Sequence, residues 1–339
     1  MINVGVVGLG MMGLTHLDAY IALPEAKVVA VADAMADRLA GKEKAGGNVK
    51  GMARGNFDIT TVKRYTDGLE LIGDPDVQVV DICLPTPLHH KFTLAALEAG
   101  KHVLVEKPLA RASADAFAIA KAADAAYAKT KTLAMPAMCM RFWPGWSQLK
   151  RVVDEKEHGR VLAASFRRVA THPGGAFYEN AELSGAAALD LHIHDTDFVR
   201  FLFGTPKSVF SRGYSLVTGG IDHLLTQYQF DDVPLVTAEG AWAMSKGFNF
   251  QMQYQINFER ATAVFDLSAA QPLVLYRNGQ AEPMPLDATM GYLHEIQYFL
   301  ECVQKDQRPK TVTLQDAAEA VRIVEAEVES IRSGQAIKL

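Results

Sequence analysis

Apolar positions in the first 135 or so residues fall into short solid runs separated by stretches with helical spacing. Ile2-Asn-Val-Gly-Val-Val7 is the first run, and others follow near 27–32, 78–84, 102–105 and 132–137. Strands buried on both faces read as continuous apolar runs, and parallel strands need a crossover between them. The pattern predicts a parallel sheet clothed in helices. The Ala-rich stretch 112–128 is a good helix former whose charges recur at helical intervals, and nothing further is needed to explain it. Gly46 to Asn56 breaks the rhythm with a glycine-rich segment longer than an ordinary connection, read as a surface loop.

After Arg141 the texture changes. A helix is expected over 145–157, followed by strand-like runs near 161–170, 207–218, 224–231, 234–244, 250–258 and 262–267. Turn signals such as Gly219-Gly220 and Asp231-Asp232 separate them, which predicts an antiparallel or mixed sheet. Helices near 291–305 and 315–332 complete the chain, the second opening at Thr313-Leu-Gln-Asp316 and stopping at Gly334.

The first strand runs straight into Gly8-Leu-Gly10-Met11-Met12-Gly13, a helical stretch follows, and the second strand ends at Asp33, twenty residues after the last glycine. That is the layout of a dinucleotide-binding βαβ unit. Gly8 makes the tight turn, Gly10 admits a pyrophosphate against bare backbone, and Gly13 lets helix and strand pack closely. The diphosphate then meets unpaired N–H groups at the helix N-terminus, beside Met11 and Met12. Asp33 accepts from ribose hydroxyls and repels a 2′-phosphate, so NAD is expected over NADP. Arg38 is the cation near enough to weaken that preference.

The chain has 339 residues, enough for two domains, with 49% hydrophobic and 22% charged residues. A net charge of −5 supplies no basic footprint and argues against nucleic acid as a partner. Cys83, Cys139 and Cys302 lack metal-ligand spacing and read as thiols in a reducing compartment. No apolar run approaches the ~20 residues that span a bilayer. With a strand already starting at Ile2, a cytoplasmic protein without membrane contact is expected.

Two further stretches carry chemistry. Val79-Val-Asp-Ile-Cys-Leu84-Pro85 and, a helix later, Gly100-Lys-His-Val-Leu-Val-Glu106-Lys107-Pro108 both bring strands to the carboxyl edge of the sheet, where open α/β folds bind ligands. A lysine at such an edge suits acid/base work, because burial and a nearby cation both ease loss of its proton. Taken alone, such a lysine reads as a surface ion pair before it reads as a catalyst. Glu106 is placed to hold its ammonium or cap the site. The second stretch is Ser184-Gly-Ala-Ala-Ala-Leu-Asp190-Leu-His192-Ile-His194-Asp195-Thr-Asp197. Asp190 and His194 are four apart and share a helical face, so the carboxylate can orient the ring and stabilise its protonated form. Asp190, His192 and His194 also resemble half a metal site, but His192 points off that face, and no metal is expected.

Together these residues resemble the Gfo/Idh/MocA family, named for glucose-fructose oxidoreductase and inositol dehydrogenase, over nearly the whole chain. The resemblance rests on Gly8 to Gly13, Ala99 to Pro108 with its Glu-Lys-Pro, Arg141-Phe142 and Asp190-x-x-x-His194-x-x-Asp197. It implies an α/β fold. A Rossmann domain over 1–138 binds NAD, and an α/β domain over 139–339, built on a large, mostly antiparallel open sheet, binds substrate and oligomerises. It further implies that substrate lies over the nicotinamide, and that Lys107, Asp190 and His194 are the catalytic residues. Leu84-Pro85 departs from the family's Thr-Pro, which moves a cofactor hydroxyl contact to Thr86; His89 sits where the family often has a histidine. His192 stands where glycine is common and so alters the pocket. Arg141, Trp143, Tyr178 and His192 join Lys107 and His194 as candidate substrate contacts. Trp143, Trp146 and Tyr178 offer rings that could stack on a sugar face, core packing being the stronger reading for the two tryptophans, and His172, Tyr178, Glu179 and Asn180 are hydrogen-bond partners for substrate hydroxyls by position.

The expected activity is hydride transfer between a secondary hydroxyl or ketone of a sugar, sugar acid or polyol and NAD, in a homodimer or homotetramer. One rival keeps the cofactor bound and cleaves glycosides through transient oxidation. Another is a non-catalytic dinucleotide sensor.

Overall fold

The computed structural model describes residues 1–41 and 55–339. The glycine-rich segment, apart from Gly55 and Asn56, lies outside the described residues. The chain divides into two compact units: Met1–Phe142 with Met290–Ala318, and Trp143–Thr289 with Glu319–Leu339. The sequence reading instead assigns everything after 138 to one domain. Apolar periodicity identifies the late helices but does not say which core each one joins.

The first unit holds strands β1 (Ile2–Val7), β2 (Ala26–Ala32), β3 (Lys63–Tyr65), β4 (Val79–Ile82), β5 (His102–Glu106) and β6 (Ala134–Ala137). They form one parallel sheet in the order β3-β2-β1-β4-β5-β6. The order reverses between β1 and β4, and such a switch point opens a crevice at the carboxyl edge. Its helices are α1 (Met11–Ile21), α2 (Ala36–Leu39), α3 (Gly68–Gly73), α4 (His89–Glu98), α5 (Ser113–Thr130) and, from much later in the chain, α10 (Gly291–Gln304). The core strands are as apolar as their sequence promised: Val4, Val6, Val79, Val80, Val103 and Leu104 are fully buried. Asp81 is the exception, a carboxylate with no exposure in the middle of β4.

The second unit is built on strands β7 (Val161–Thr171), β8 (Ser208–Tyr214), β9 (His223–Gln229), β10 (Leu235–Met244), β11 (Gln251–Phe258), β12 (Thr262–Asp266), β13 (Leu273–Arg277), β14 (Gln280–Pro283) and β15 (Ile337–Lys338). Their order is β14-β13-β12-β11-β7-β10-β9-β8-β15. Every pair is antiparallel except β7 with β10. This is the large, mostly antiparallel sheet that the resemblance implied. In β9, Leu224, Thr226 and Tyr228 are buried while Leu225, Gln227 and Gln229 are exposed, the alternation of a sheet covered on one side. Its helices are α6 (Trp146–Asp154), α7 (Ala176–Glu179), α8 (Ala181–Ser184) and α9 (Ile193–Phe203). Helix α11 (Leu314–Ser333) begins in the first unit and continues in the second.

Trp146 is wholly buried at the centre of the second core. Its ring lies 4.8 Å from Phe198, 5.3 Å from Tyr254, 5.9 Å from Phe166 and 6.0 Å from Phe265. Of its two sequence readings, the core one holds. Beside it Arg168 makes a buried two-pronged contact with Asp195, at 2.8 and 3.1 Å. The Thr313 side chain accepts from the Asp316 amide at 3.1 Å, and Asp316 accepts from the Thr313 amide at 3.0 Å, so the helix start read from sequence is a reciprocal cap. Among the described residues no helix is long and apolar enough to cross a membrane.

Candidate active site

The glycine turn separates into positions the chain itself demands and one it does not. Gly8 has φ +99°, and a Cβ there would lie 2.5 Å from the Cys83 carbonyl. A Cβ on Gly13 would lie 1.8 Å from the Gly8 carbonyl oxygen, so α1 packs on its own entry turn without room for a methyl. Gly10 caps α1 with an ordinary φ of −73°, and a Cβ there would meet nothing within 4 Å. No side chain caps α1. The first N–H groups of the helix are therefore offered to a ligand beside a position where a Cβ would fill open space. Met11 and Met12 are half-buried there.

Asp33 is buried at the end of β2, and its two oxygens accept from the Leu9 and Met35 amides, each at 2.8 Å. A carboxylate has about four acceptor sites, which leaves capacity for a diol. The residues thus fit an adenosine ribose and diphosphate. Arg38 lies 3.5 Å from Asp33 Oδ2, its charge directed to that carboxylate.

On the same sheet edge Lys107 follows β5 directly and is half-buried, after a cis Lys107–Pro108 bond is formed with the next residue. The buried Glu106 carboxylate accepts from the Lys107 backbone amide at 2.9 Å. Leu84 is half-buried, Pro85 exposed and Thr86 buried. His89 is enclosed, with Nδ1 2.8 Å from the Pro108 carbonyl and Nε2 2.7 Å from that of Leu84, so it ties the turns after β4 and β5 together. Burial draws its pKa down, against the pull of the two carbonyls. Arg141 is buried as well, and donates to the Thr311 carbonyl at 2.8 Å and to Asp316 at 3.3 Å, at the cap of α11.

The second unit carries the other candidates. Ala187–Leu191 is a π-helical turn closed by the His192 amide donating to the Ala187 carbonyl at 2.8 Å, and α9 follows at once. Asp190 and His194 are half-buried, whereas His192 between them has no exposure. The His192 ring instead packs on β10, where a Cβ at Gly240 would lie 2.7 Å from its Nδ1. Its Nε2 is 3.3 Å from the Tyr228 hydroxyl and 3.4 Å from Glu327. An imidazole in place of glycine is thus accommodated by a glycine opposite it. Trp143 is buried. Tyr178 and His172 both set their rings edge-on to Trp242, at 5.5 and 5.6 Å, and Glu179 and Asn180 are exposed beside them.

One cluster was not foreseen from the sequence. His16, on α1, places Nδ1 2.8 Å from Asp81 Oδ2 and Nε2 3.1 Å from Glu106 Oε1. Tyr20 donates to Asp81 at 2.9 Å, Cys83 Sγ lies 3.4 Å from Asp81, and Glu295 of α10 brings a third carboxyl within 4.8 Å of His16 and Glu106. Burial opposes protonation of His16, yet Asp81 and Cys83 raise its pKa well above the ordinary imidazole value. Burial, with Glu106 and Asp81, pushes the Glu295 carboxyl well above the usual carboxylate range. The available signal was Asp81 itself, a charge inside the solid apolar run of β4.

Residues 2–132 match the model described as "Oxidoreductase family, NAD-binding Rossmann fold", and 146–264 match the "GFO/IDH/MocA C-terminal domain". The scyllo-inositol 2-dehydrogenase (NAD(+)) of Bacillus subtilis (strain 168) is 27% identical over 100% of this chain and 96% of its own. The myo-inositol 2-dehydrogenase of Thermotoga maritima is 26% identical over 99% and 98%. A solved levoglucosan dehydrogenase, in complex with NADH and levoglucosan, superposes with a TM-score of 0.84 at 22% identity over 99% of each chain. With both of its domains matched in order along the chain, this protein belongs to the Gfo/Idh/MocA oxidoreductase family.

Proposed function

We propose that this chain is an NAD-dependent oxidoreductase acting on a secondary hydroxyl of a sugar, sugar acid or polyol, or on the corresponding ketone. The observation that carries the reading is Lys107, held half-buried by its own amide on Glu106, on the sheet edge that also bears the open Gly10 position and Asp33. Relatives named for inositol and levoglucosan dehydrogenation support the substrate class.

In this reading Gly8, Gly10, Met11, Met12, Gly13 and Asp33 hold the cofactor, with Leu84, Pro85, Thr86 and Glu106 shaping the neighbouring edge and His89 bracing it. Lys107 handles the hydroxyl proton, with His194, oriented by Asp190, as the other acid/base candidate. NAD, when bound, takes the hydride. Tyr178 is the candidate contact to the carbohydrate; Arg141, Trp143 and His192 are buried, Arg141 at the cap of α11 and His192 against β10. The enzyme works in the cytoplasm as a homo-oligomer. Buried Cys83, Cys139 and Cys302, none of them in a disulfide among the described residues, suit a reducing compartment, and exposed Phe210, Leu225 and Leu235 on the second sheet suit self-association.

The test is NADH absorbance with a panel of sugars, sugar acids, cyclitols and glycosides, with products analysed in parallel. Lys107→Met should lower kcat by about 10²- to 10⁴-fold, with NAD affinity within about threefold of wild type. Undiminished turnover in that variant sinks the assignment, and glycoside cleavage without NADH accumulation replaces net oxidation with cofactor-retaining chemistry.

A further inference from the structure

We infer that His16 is a positioning residue for Lys107, acting through Glu106: its ring, seated on Asp81, fixes the Glu106 carboxylate that in turn holds the Lys107 amide. The inference rests on the reading of Lys107 as the proton-handling residue.

The geometry forms a continuous line. The Tyr20 hydroxyl donates to Asp81 Oδ2 at 2.9 Å, the same oxygen lies 2.8 Å from His16 Nδ1, His16 Nε2 lies 3.1 Å from Glu106 Oε1, and Glu106 Oε2 accepts from Lys107 N at 2.9 Å. The His16 to Glu106 contact has ion-pair distance without hydrogen-bond alignment, so charge carries it. A carboxylate buried this deeply needs a cation or several donors. Among the described residues, the groups set against His16 are acidic or neutral: Asp81 on β4 and Cys83 just after it, Glu106 on β5, Glu295 and Tyr292 on α10, and Tyr20, which shares Asp81 with it, on its own helix. Lying between the Asp81 and Glu106 carboxylates, His16 is placed to be the cation of the cluster; against the downward pull of burial, Asp81 and Cys83 push its pKa upward. Glu295, whose two oxygens have no hydrogen-bond partner among the described residues, keeps its proton and leaves the cation to Glu106.

The polar contacts of the His16 ring among the described residues go to Asp81, Cys83 and Glu106 and not to Asp33 or the glycine turn, so its removal should spare cofactor affinity and strike the rate. For His16→Leu and His16→Gln we expect kcat to fall about 10- to 100-fold, the cost of a displaced catalytic group, with KM for NAD within about threefold. Glu106→Gln should fall similarly, and adding it to either His16 variant should cost little more, because residues acting in series are not additive. His16→Gln folds on the same hydrogen-bonding frame and keeps the test open if His16→Leu does not fold. Tyr20→Phe, at the far end of the line, should keep its rate within about twofold. Amide hydrogen exchange supplies a readout that needs no turnover: the Lys107 amide should lose protection about tenfold in His16→Gln and keep it in Tyr20→Phe. Additive losses in the double variant, or a Lys107 amide as protected as in wild type, overturn the inference. A wild-type protein inactive on every substrate, with the exchange result as expected, overturns the proposed function and leaves the coupling standing.

Discussion

The glycine turn permits one experiment that separates folding from binding. Gly13→Ala places a methyl 1.8 Å from the Gly8 carbonyl oxygen, where Cβ contacts essentially never fall below 3.0 Å. Helix α1 must retreat by about 1.2 Å, and an insertion of that kind into packed backbone costs roughly 1–3 kcal/mol or more. Gly10→Ala places its methyl in space empty to 4 Å, at a residue whose φ of −73° any amino acid adopts, so the protein should lose no more than about 0.5 kcal/mol. If a diphosphate occupies that space, the same methyl must instead cost NAD affinity at least about tenfold, which is 1.4 kcal/mol. Thermal unfolding of the two variants, alongside NAD titration by calorimetry, reads both quantities. The expected pattern is a cold, weakly binding Gly13→Ala and a Gly10→Ala that melts like wild type but binds poorly. A Gly10→Ala protein that binds NAD as wild type does would refute the placement of the diphosphate.

Other outcomes follow from buried groups. Glu295→Gln removes a carboxyl whose pKa is raised in the fold by burial, so the stability tied to that proton is complete below the unfolded value and is lost as pH rises. The variant should match wild type near pH 4.5 and melt progressively higher than wild type toward pH 9, at about 1.4 kcal/mol for each unit by which the carboxyl is lifted; a gap in Tm that ignores pH would count against it. Gly240→Ala drives a methyl to 2.7 Å from His192 Nδ1 and should cost about 1–3 kcal/mol in denaturant unfolding, most of it recovered by adding His192→Ala. An additive double variant would show that the two side chains do not compete for one space. Arg168→Met strands the fully buried Asp195 and should cost about 3–5 kcal/mol, measured the same way, whereas Arg168→Met with Asp195→Leu should recover a large part.

Much of this architecture was legible because parallel strands are buried on both faces. The solid runs that became β1, β2, β4, β5 and β6 leave little choice of element, and the glycines with Asp33 fix where the first helix starts. Strand β3 was invisible, since Lys63-Arg64-Tyr65 carries two charges in three residues and is held by its neighbour's ladder at the sheet edge. The hairpin of β13 and β14 was readable and passed over: Asn278 and Gly279 have φ of 52° and 74°, the pair that a tight hairpin turn favours. In the site, spacing could not tell which side chains were already spoken for. His89, Arg141 and His192 are each enclosed and engaged by carbonyls, a helix cap or a sheet, and His16 escaped notice because its partners arrive from positions 81, 106 and 295.

The late arrival of α10 has a consequence for biosynthesis. This helix buries Glu295, Ile296, Phe299 and Leu300 against α1, β5, β6 and the turn at Cys139–Phe142, all of which leave the ribosome about 150 residues or more earlier. A nascent chain that has just completed β6 therefore holds every strand of its sheet yet lacks one wall of its core. Until α10 itself has been translated, that apolar surface is open to chaperones, and the nucleotide fold becomes native only after Trp143–Thr289 of the second unit has left the ribosome.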